Sequence, residues 1–341
     1  MEKNKGKQHL IMGGNGFLGS HVARQLSRAG ERVRVMVRAG CDMRNLQDVD
    51  VEVVHGDIFD QASVRAAMDG CDIVYYCIVD TRCYILDTSV LFRTNVEGLR
   101  QVLDVAKDAG LEKFVFTSTI GAIARSHDKP ATEDMPFNWE HLGGDYIRSR
   151  VQAEELVLKY AREKNLPAVA MCVSNTYGKA DWQLTPHGAL VADAAKGKLP
   201  LTMKGACTEV VGVEDAAQAL ILAGEKGRIG ERYIISESYV DMDDLYRLAA
   251  ETTGAKPPRM QIPLFVAYLL AGINDVITRI IRKETVMRVI SIRLMHIMTP
   301  MDHSKAQREL GWHPRPIAES IAEAAEFYTS EAFAAAQASG D

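Results

Sequence analysis

The stretch HLIMGGNGFLGSHVAR, residues 9–24, decides the fold of this chain. Its first four residues read as a short buried strand, and glycines follow at three-residue spacing as Gly13, Gly16 and Gly19. From Phe17 to Leu26 apolar residues recur at helical period, so the stretch predicts a strand, a tight turn and a helix. Glycine suits the turn because it permits unusual backbone angles and close packing of helix on strand.

This turn is also a good binding site for a pyrophosphate. The N–H groups at a helix N-terminus attract anions, and side chains in place of the glycines would block their approach. The position at the start of an α/β pattern favours a dinucleotide site over a tight turn with no ligand. We therefore assign Gly13, Gly16, Phe17, Leu18 and Gly19 to dinucleotide binding.

Five further strand-like runs follow, and helical patterns separate most of them. Strands that alternate with helices form a parallel sheet with helices on both faces. We therefore predict an α/β fold with a Rossmann-type, doubly wound parallel sheet. The predicted strands are Arg32–Arg38, Val51–Val54, Asp72–Tyr76, Lys113–Thr117 and Ala168–Cys172; the predicted helices are Ala62–Met68, Leu91–Ala109 and Asp145–Lys164, and Asp215 is predicted to cap a further helix.

The alternation of strand and helix loosens after about residue 175. We predict a nucleotide-binding Rossmann domain over residues 1–175, with residues 206–236 returning to it. Residues 176–205 and 237–330 are expected to form a smaller, mostly helical substrate lobe over the C-terminal ends of the strands, where ligands bind in such sheets. Residues 331–341 are expected to be a frayed tail.

Composition excludes several classes of function. The 341 residues carry a formal net charge of -5, which argues against a nucleic-acid partner. The six cysteines include no C-x-x-C pair and the nine histidines lack ligand spacing, so no metal site is expected. The polar N-terminus has no apolar signal region, which predicts a cytoplasmic protein. The sequence leaves open both a monomer and a homodimer.

One segment raises the question of a membrane. Pro263–Ile273 is apolar throughout, too short to span a bilayer, and Arg279–Arg293 holds five basic residues and one acidic residue among aliphatics. Residues 263–293 are compatible with peripheral contact to a membrane surface. The alternative is a helix of the substrate lobe with a solvated basic face, and no transmembrane segment is expected.

A second chemical signal lies in the predicted helix Asp145–Lys164. Tyr146 and Arg150 are four residues apart, so they share one helix face. A nearby cation is one way to make a phenol, with an unperturbed pKa of about 10, a usable proton donor and acceptor. Thr119, just past the fifth strand, would complete a pair of hydroxyl groups around a substrate oxygen. The alternative is an ordinary Tyr/Arg pair on a helix surface.

Several motifs match one known family. The glycine run fits G-x-x-G-x-x-G, Asp57 in His55-Gly56-Asp57 fits an acidic residue after the third strand, and Asn95-Val96-Glu97-Gly98 fits an N-V-x-G helix. In these features the chain resembles the extended short-chain dehydrogenase/reductases of the NAD-dependent epimerase/dehydratase superfamily. It is most similar to their dihydroflavonol reductase and 3β-hydroxysteroid dehydrogenase-like branch. The resemblance implies that Asp57 and the adjacent Ile58 contact the adenosine half of the cofactor.

The resemblance also implies roles in catalysis. Tyr146 falls on the catalytic tyrosine, Thr119 on the catalytic Ser/Thr, and Asn95 joins them in the catalytic set. Arg150 stands where the family has a lysine that holds the nicotinamide ribose. Arginine keeps the charge but cannot release a proton, so a proton relay would pass through ribose hydroxyl and water, past Asn95.

Three further positions depart from the family pattern. Ile78 and Val79 stand where small residues are usual beside the cofactor, and Val173 stands where proline is usual. Each change reshapes the predicted nicotinamide site.

The cofactor is predicted to be NADP(H). An NAD site usually places Asp or Glu about twenty residues past the glycines, where it binds the ribose 2′-hydroxyl. Here that place is taken by Arg38, whose guanidinium can pair with a 2′-phosphate. The alternative is a solvated arginine at the end of a strand.

These observations favour an NADP(H)-dependent oxidoreductase that interconverts a ketone and a secondary alcohol on a bulky, apolar, sterol-like molecule, for example a 3β-hydroxysteroid or 4-carboxysterol 3-dehydrogenase. The aliphatic residues of the 263–295 region are the reason for predicting this substrate class. The alternatives are a nucleotide-sugar epimerase or dehydratase and a catalytically weak NADP-binding regulator. Aromatic residues expected to line the cleft are Tyr84, Trp139, Tyr177 and Trp182.

Overall fold

The structure is a computed structural model, which describes residues 6–338. Its strands are β1 (Gln8–Met12), β2 (Arg32–Val37), β3 (Glu52–His55), β4 (Ile73–Tyr76), β5 (Lys113–Thr119), β6 (Ala168–Val173), β7 (Asn175–Tyr177), β8 (Leu201–Met203), β9 (Cys207–Gly212), β10 (Arg232–Ile235), β11 (Ser238–Asp241) and β12 (Met260–Ile262). Its α-helices are α1 (Phe17–Arg28), α2 (Gln61–Met68), α3 (Ser89–Phe92), α4 (Leu99–Ala106), α5 (Glu140–Glu163), α6 (Pro186–Ala195), α7 (Val213–Lys226), α8 (Met242–Thr252), α9 (Leu264–Ile281), α10 (Val289–His296), α11 (Ser304–Leu310), α12 (Ile317–Thr329) and α13 (Glu331–Ala338).

The main sheet has seven parallel strands in the order β10-β6-β5-β4-β1-β2-β3. From β1 the chain first builds outward through β2 and β3, and then crosses back to place β4 on the other side of β1. The strand order therefore reverses between β1 and β4, and such a reversal opens a crevice at the carboxyl ends of the strands. The predicted doubly wound α/β fold is confirmed.

Each face of the sheet buries its own apolar core. On one face Leu103 of α4 and Val157 of α5 are fully buried against the strands. On the other face Val22 of α1 and Leu220 of α7 pack in the same way. Because helices cover both faces, the strands are apolar on both sides, which explains their continuous hydrophobic runs.

The predicted helix Leu91–Ala109 is three shorter segments. A π-helical turn, Arg93–Gly98, separates α3 from α4. Periodicity alone does not show such a turn, because one inserted residue hardly changes the apolar pattern around it. The turn contains Asn95 and is adjacent to α5.

The smaller lobe is built on helices α6, α8 and α12. Val191, Leu245 and Ile321, one from each helix, meet in its core. A three-stranded sheet (β11-β9-β7) and a two-stranded sheet (β12-β8) flank these helices. Helix α10 reaches back to α5 of the nucleotide-binding domain.

The predicted division of the chain differs from the structure at two places. Residues 206–236 return only in part: α7 and β10 join the main sheet and its helices, whereas β9 belongs to the three-stranded sheet. Helix α11, inside the predicted lobe segment, packs on the nucleotide-binding domain through Leu310 and the neighbouring Trp312, because both are apolar and bury against α7.

Two local predictions were wrong. Asp215 is the third residue of α7 and not its N-cap, which is Gly212; its carboxylate instead accepts from the backbone N–H of Arg315 at 3.1 Å. The predicted frayed tail begins with a helix, α13, because Phe333 is buried against the aromatic side chain of Phe327 at 5.1 Å between ring centroids. Residues 339–341 of the predicted tail lie outside the described residues.

Candidate functional site

The glycine turn lies in the crevice between β1 and β4. Gly13 has a φ of 80°, and a Cβ atom there would come within 2.9 Å of the Ile78 side chain. A Cβ atom at position 19 would lie 2.5 Å from the carbonyl oxygen of Gly13. The N–H of Gly16 donates to that same oxygen at 3.1 Å, so the turn is closed tightly on itself. It leaves the first N–H groups of α1, those of Phe17, Leu18 and Gly19, without acceptors inside the helix.

Gly19→Ala is expected to weaken dinucleotide binding by about tenfold or more without helping α1, although alanine is the better helix former. The added methyl group must push against the backbone of Gly13, which moves the N–H groups that cradle a pyrophosphate. Titration of NADPH followed by fluorescence measures the effect. Gly272→Ala is the matched control, since a Cβ atom there meets nothing within 4 Å; equal affinity for both variants would refute the cradle.

The carboxyl ends of β2 and β3 carry the other predicted nucleotide contacts. Arg38 follows β2 directly and is exposed, with no ion pair to any described residue. Asp57 lies two residues past β3, where its carboxylate accepts from the N–H of Phe59 at 2.9 Å. Ile58 is buried beneath Gly98, where a side chain would collide with it. The three residues therefore follow β2 and β3, the strands on the side of β1 where the adenosine half of a dinucleotide would lie.

Tyr146 lies just after a break in helix α5. Gly144 has a φ of 64°, so the regular part of the helix begins at Asp145, as predicted. The carboxylate of Asp145 accepts from the hydroxyl of Thr88 at 2.6 Å, which fixes this end of the helix. Tyr146 is half-buried and packs, as Leu142 and Leu294 also do, against an apolar cluster that includes Ile120 and Ile147. An apolar surface therefore lies beside the tyrosine.

Thr119 ends strand β5, and its hydroxyl oxygen accepts from the N–H of Gly121 at 3.1 Å. The O–H hydrogen remains available to a substrate oxygen. Its neighbour Ser118 lies on the opposite side of the strand and donates to the carboxylate of Glu154. Of the two adjacent hydroxyl residues, Thr119 is thus the one free to act with a ligand.

Arg150 is buried, with 2% of its surface exposed. One terminal nitrogen donates to the carbonyl oxygen of Thr117 at 2.6 Å, and the guanidinium carbon lies 5.3 Å from the ring centroid of Phe116. Its Nε and Nη1 atoms have no acceptor among the described residues. Buried donors without acceptors are costly, so they indicate that a ligand supplies the acceptors. Ribose hydroxyl groups fit this need, and the site therefore fits a dinucleotide.

The electrostatic balance at Tyr146 differs from the expectation. Burial raises the pKa of the Tyr146 phenol, and the charge of Arg150 lowers that pKa by a smaller amount. The same burial lowers the pKa of the Arg150 guanidinium. Without a ligand the phenol is therefore firmly protonated, which makes it a proton donor first.

Tyr76 is a core tyrosine near Arg150 that the sequence analysis did not single out. It ends strand β4, is buried, and its hydroxyl has no partner among the described residues. Burial raises the pKa of Tyr76, whereas the positive charge of Arg150 lowers it, so the two groups are electrostatic neighbours. The run Asp72–Tyr76 was interpreted only as a strand, and the hydroxyl of its last residue was the available signal.

Asn95 is buried in the π-helical turn. Its side-chain N–H groups donate to the carbonyl oxygen of Asp80 at 3.0 Å and to the hydroxyl of Ser149 at 3.1 Å, and its amide oxygen accepts from the N–H of Asp80 at 2.8 Å. These bonds hold the loop after β4 against α5, which positions Tyr146. The predicted part of Asn95 in a proton relay stays a prediction.

The smaller lobe covers this part of the site. The guanidinium of Arg288, between α9 and α10, donates to the carbonyl oxygen of Tyr84 at 2.8 Å and pairs with Asp275 of α9 at 2.8 Å. Ile290 of α10 packs against Gly144 beside Tyr146. The loop after β4 is thus linked to the α9–α10 connection.

The prediction that four aromatic residues line the cleft was mostly wrong. Trp139 is buried and its indole N–H donates to the carbonyl oxygen of Ile123 at 2.8 Å. Tyr177 is buried in the lobe core. Trp182 packs edge-on against Phe327, with ring centroids 4.8 Å apart. Aromatic side chains occur both in protein cores and in binding clefts. The positions of these residues in the sequence therefore did not show which of the two they occupy.

Comparison with known proteins agrees with this geometry. Residues 9–236 match the family described as the NAD dependent epimerase/dehydratase family. A putative dihydroflavonol 4-reductase of Synechocystis is 26% identical over 96% of this chain and 96% of that protein. Sterol demethylase protein B of Methylococcus capsulatus is 28% identical, over 94% and 97%. The mouse sterol-4-alpha-carboxylate 3-dehydrogenase, decarboxylating, is 24% identical, over 91% and 88%.

A solved structure named gox2253 is 32% identical, with a TM-score of 0.83 over 95% of this chain and 98% of that chain. The resemblance predicted from the glycine run and the motifs around it is therefore confirmed. The chain belongs to the NAD dependent epimerase/dehydratase family, as an NAD(P)-dependent enzyme of the extended short-chain dehydrogenase/reductase type that acts on hydroxyl groups.

Proposed function

We propose that the protein is an NADP(H)-dependent oxidoreductase that interconverts a ketone and a secondary alcohol on a bulky apolar substrate of the sterol or steroid class. The observation that carries the proposal is the apolar cluster beside Tyr146, which includes Ile120 and Ile147, together with Ile290 close to Gly144. The names of two relatives point to the same class, since both concern sterols. A 4-carboxysterol 3-dehydrogenase is the specific version.

The residues of the site have separate tasks in reduction. When bound, a nicotinamide cofactor supplies a hydride to the carbonyl carbon. Tyr146 gives its phenolic proton to the carbonyl oxygen, and Thr119 donates a hydrogen bond to the same oxygen. Arg150 stabilises the phenolate that remains. Oxidation of the alcohol runs these proton transfers backwards.

Three basic residues between positions 179 and 196 are not available to a sugar-nucleotide substrate. The Nζ atom of Lys179 forms ion pairs with carboxylate oxygens of Glu214 at 3.1 Å and Glu323 at 3.3 Å. Lys196 lies over the ring of Phe333, 4.9 Å from its centroid. Burial lowers the pKa of His187 to about 4, so it is neutral at physiological pH. None of these groups is free to hold a diphosphate, which a nucleotide sugar requires.

The cofactor preference rests on Arg38. An exposed guanidinium at the end of β2 can pair bidentately with a 2′-phosphate, whereas the acidic residue that an NAD site usually carries there is missing. Arg38→Glu should weaken NADPH binding by about 10- to 100-fold and spare NADH. Isothermal titration of both cofactors measures the change. Arg28→Glu, at the far end of α1, is the charge-matched control; wild-type protein that binds NADH as tightly as NADPH would refute the preference.

A turnover screen tests the substrate class. Purified protein is supplied with NADPH or NADP and with 3-ketosteroids, 3β-hydroxysteroids and UDP-sugars in parallel; the absorbance of the reduced cofactor is followed, and the UDP-sugar products are separated by chromatography. The proposal expects cofactor turnover with the steroids alone. Turnover of UDP-sugars would favour the epimerase or dehydratase. Tight NADPH binding with no turnover of any compound would favour the regulator.

A further inference from the structure

Helix α9 presents an apolar face that no described residue covers. Eight of its large apolar side chains are each 46–76% exposed. At about 100° per residue they occupy one arc of about 160° around the helix axis. Monomeric soluble proteins rarely expose an apolar patch of such extent without a partner. The members of this face, here called the α9 face, are Phe265, Leu269, Leu270, Ile273, Val276, Ile277, Ile280 and Ile281.

Basic side chains lie beyond both ends of the α9 face. Arg279, Arg282 and Lys283 lie at the C-terminal end of the helix, and all are exposed. Lys256 and Arg259 lie just before its N-terminal end, and both are exposed. None of the five forms an ion pair with another described residue. An apolar surface between free cations matches an anionic bilayer, because the apolar side chains can enter the hydrocarbon layer and the cations can pair with the lipid phosphate groups.

The helix lies on the lobe in a way that excludes spanning. By length and composition α9 is the single helix among residues 6–338 that is apolar enough to cross a membrane, and 17% of it is buried. Its opposite side is anchored, because Thr278 is fully buried and Asp275 pairs with Arg288 at 2.8 Å. To span, the helix would have to leave the lobe and carry Asp275 and Arg279 into hydrocarbon. It is therefore placed to lie in the interface.

The charges also argue against a second copy of the chain as the occupant. In a two-fold symmetric contact with antiparallel α9 helices, the C-terminal cations of one copy would face Lys256 and Arg259 of the other. Like charges brought together in this way oppose association. A surface of anionic lipid has the opposite effect on every one of these groups.

We infer that the α9 face is a docking surface for an anionic lipid bilayer, on which the protein sits as a peripheral protein. The docked segment is joined to the site, because the connection after α9 holds the loop after β4 through Arg288 and Tyr84. A substrate dissolved in the bilayer would therefore meet a segment that is joined to the site. That last step rests on the proposed function; the docking itself does not.

Flotation with vesicles tests the inference without any substrate. The full chain is mixed with vesicles of phosphatidylcholine and phosphatidylglycerol in equal parts, or of phosphatidylcholine alone. Binding is expected to the anionic vesicles, weakened by salt and released by alkaline carbonate. Phe265→Ser, Ile273→Ser and Ile280→Ser combined should weaken binding at least about tenfold. Arg279→Gln, Arg282→Gln and Lys283→Gln combined should remove most of the salt dependence.

Matched controls separate docking from damage. The control for the apolar variant combines Val53→Ser and Ile229→Ser, which change exposed apolar residues outside α9. The control for the charge variant combines Arg28→Gln, Arg162→Gln and Lys164→Gln, which change exposed cations elsewhere. Both control variants should bind the vesicles like the wild type. NADPH affinity in solution should be equal in all variants, which confirms their folding and leaves the proposed function untouched. The inference would be overturned if the wild-type protein did not bind the anionic vesicles, or if alkaline carbonate did not release it from them. It would also be overturned if the wild type formed a dimer that Ile280→Arg dissociates.

Discussion

Tyr146→Phe is expected to lower kcat by about 10²-fold or more, the usual effect of losing a general acid. The substitution removes one hydroxyl from a half-buried ring and leaves the ring packed against its apolar cluster. NADPH affinity should therefore change little. Steady-state kinetics on the best steroid of the turnover screen, together with NADPH titration, measure both quantities.

Tyr160→Phe is the matched control for Tyr146→Phe, because it removes a phenol from the same helix. The Tyr160 hydroxyl donates to the carboxylate of Asp104 at 2.7 Å, on the part of α5 away from the site. Its loss should lower stability slightly and leave kcat close to that of the wild type. A Tyr146→Phe variant that keeps full activity would remove Tyr146 from the catalytic set.

The rate of alcohol oxidation should depend on pH in a definite direction. Oxidation requires the phenolate of Tyr146, whose pKa is raised by burial, so kcat for oxidation should rise as pH rises through neutrality. Reduction requires the phenol, which is the dominant form there, so kcat for reduction should stay flat. An oxidation rate that falls over the same interval would assign the titration to another group.

Arg150→Met is expected to abolish most cofactor binding without destabilising the protein. Methionine keeps the contact with Phe116 but removes the buried N–H groups that lack acceptors, which relieves a desolvation penalty. Without cofactor, the melting temperature of the variant should equal or exceed that of the wild type. The increase in melting temperature that NADPH causes in the wild type should be absent from the variant. Thermal unfolding with and without NADPH measures both effects.

Arg150→Lys is the conservative companion of this variant. Lysine keeps a positive charge one helical turn from Tyr146 and can bind ribose hydroxyls, so activity should be retained. The oxidation profile should move to higher pH in Arg150→Met, since the charge that lowers the Tyr146 pKa is lost. If Arg150→Met binds NADPH like the wild type, the unpartnered guanidinium serves some other purpose than holding the cofactor.

Local sequence patterns were sufficient for the sheet and for the cofactor turn. Strands β1, β4 and β6 were recognised because both of their faces are buried, so apolar residues run continuously. The turn at Gly13 was recognised because its φ of 80° and its close approach to Ile78 leave room for glycine alone. Each of these features depends on a few residues that are neighbours in the sequence.

Features that depend on distant contacts were not predictable from the sequence. Asp215 has the residue type of an N-cap, but its place is decided by Arg315, one hundred residues later. Helix α13 exists because Phe333 meets an aromatic cluster of the lobe. The spacing of Tyr146 and Arg150 placed them on one face, yet spacing does not reveal that Arg150 is buried or that Tyr76 lies near it.

Isotope transfer tests the central claim most directly. NADPH carrying deuterium at both hydrogen positions of C4 of the nicotinamide is incubated with the protein and a 3-ketosteroid, and the steroid product is analysed by mass spectrometry. The proposed reaction predicts one deuterium on the carbinol carbon of the alcohol and one NADP formed for each alcohol. An epimerase returns the hydride to its own substrate, so it gives no net oxidation of NADPH. A product without deuterium, or no product beside active turnover of a UDP-sugar, would contradict the account.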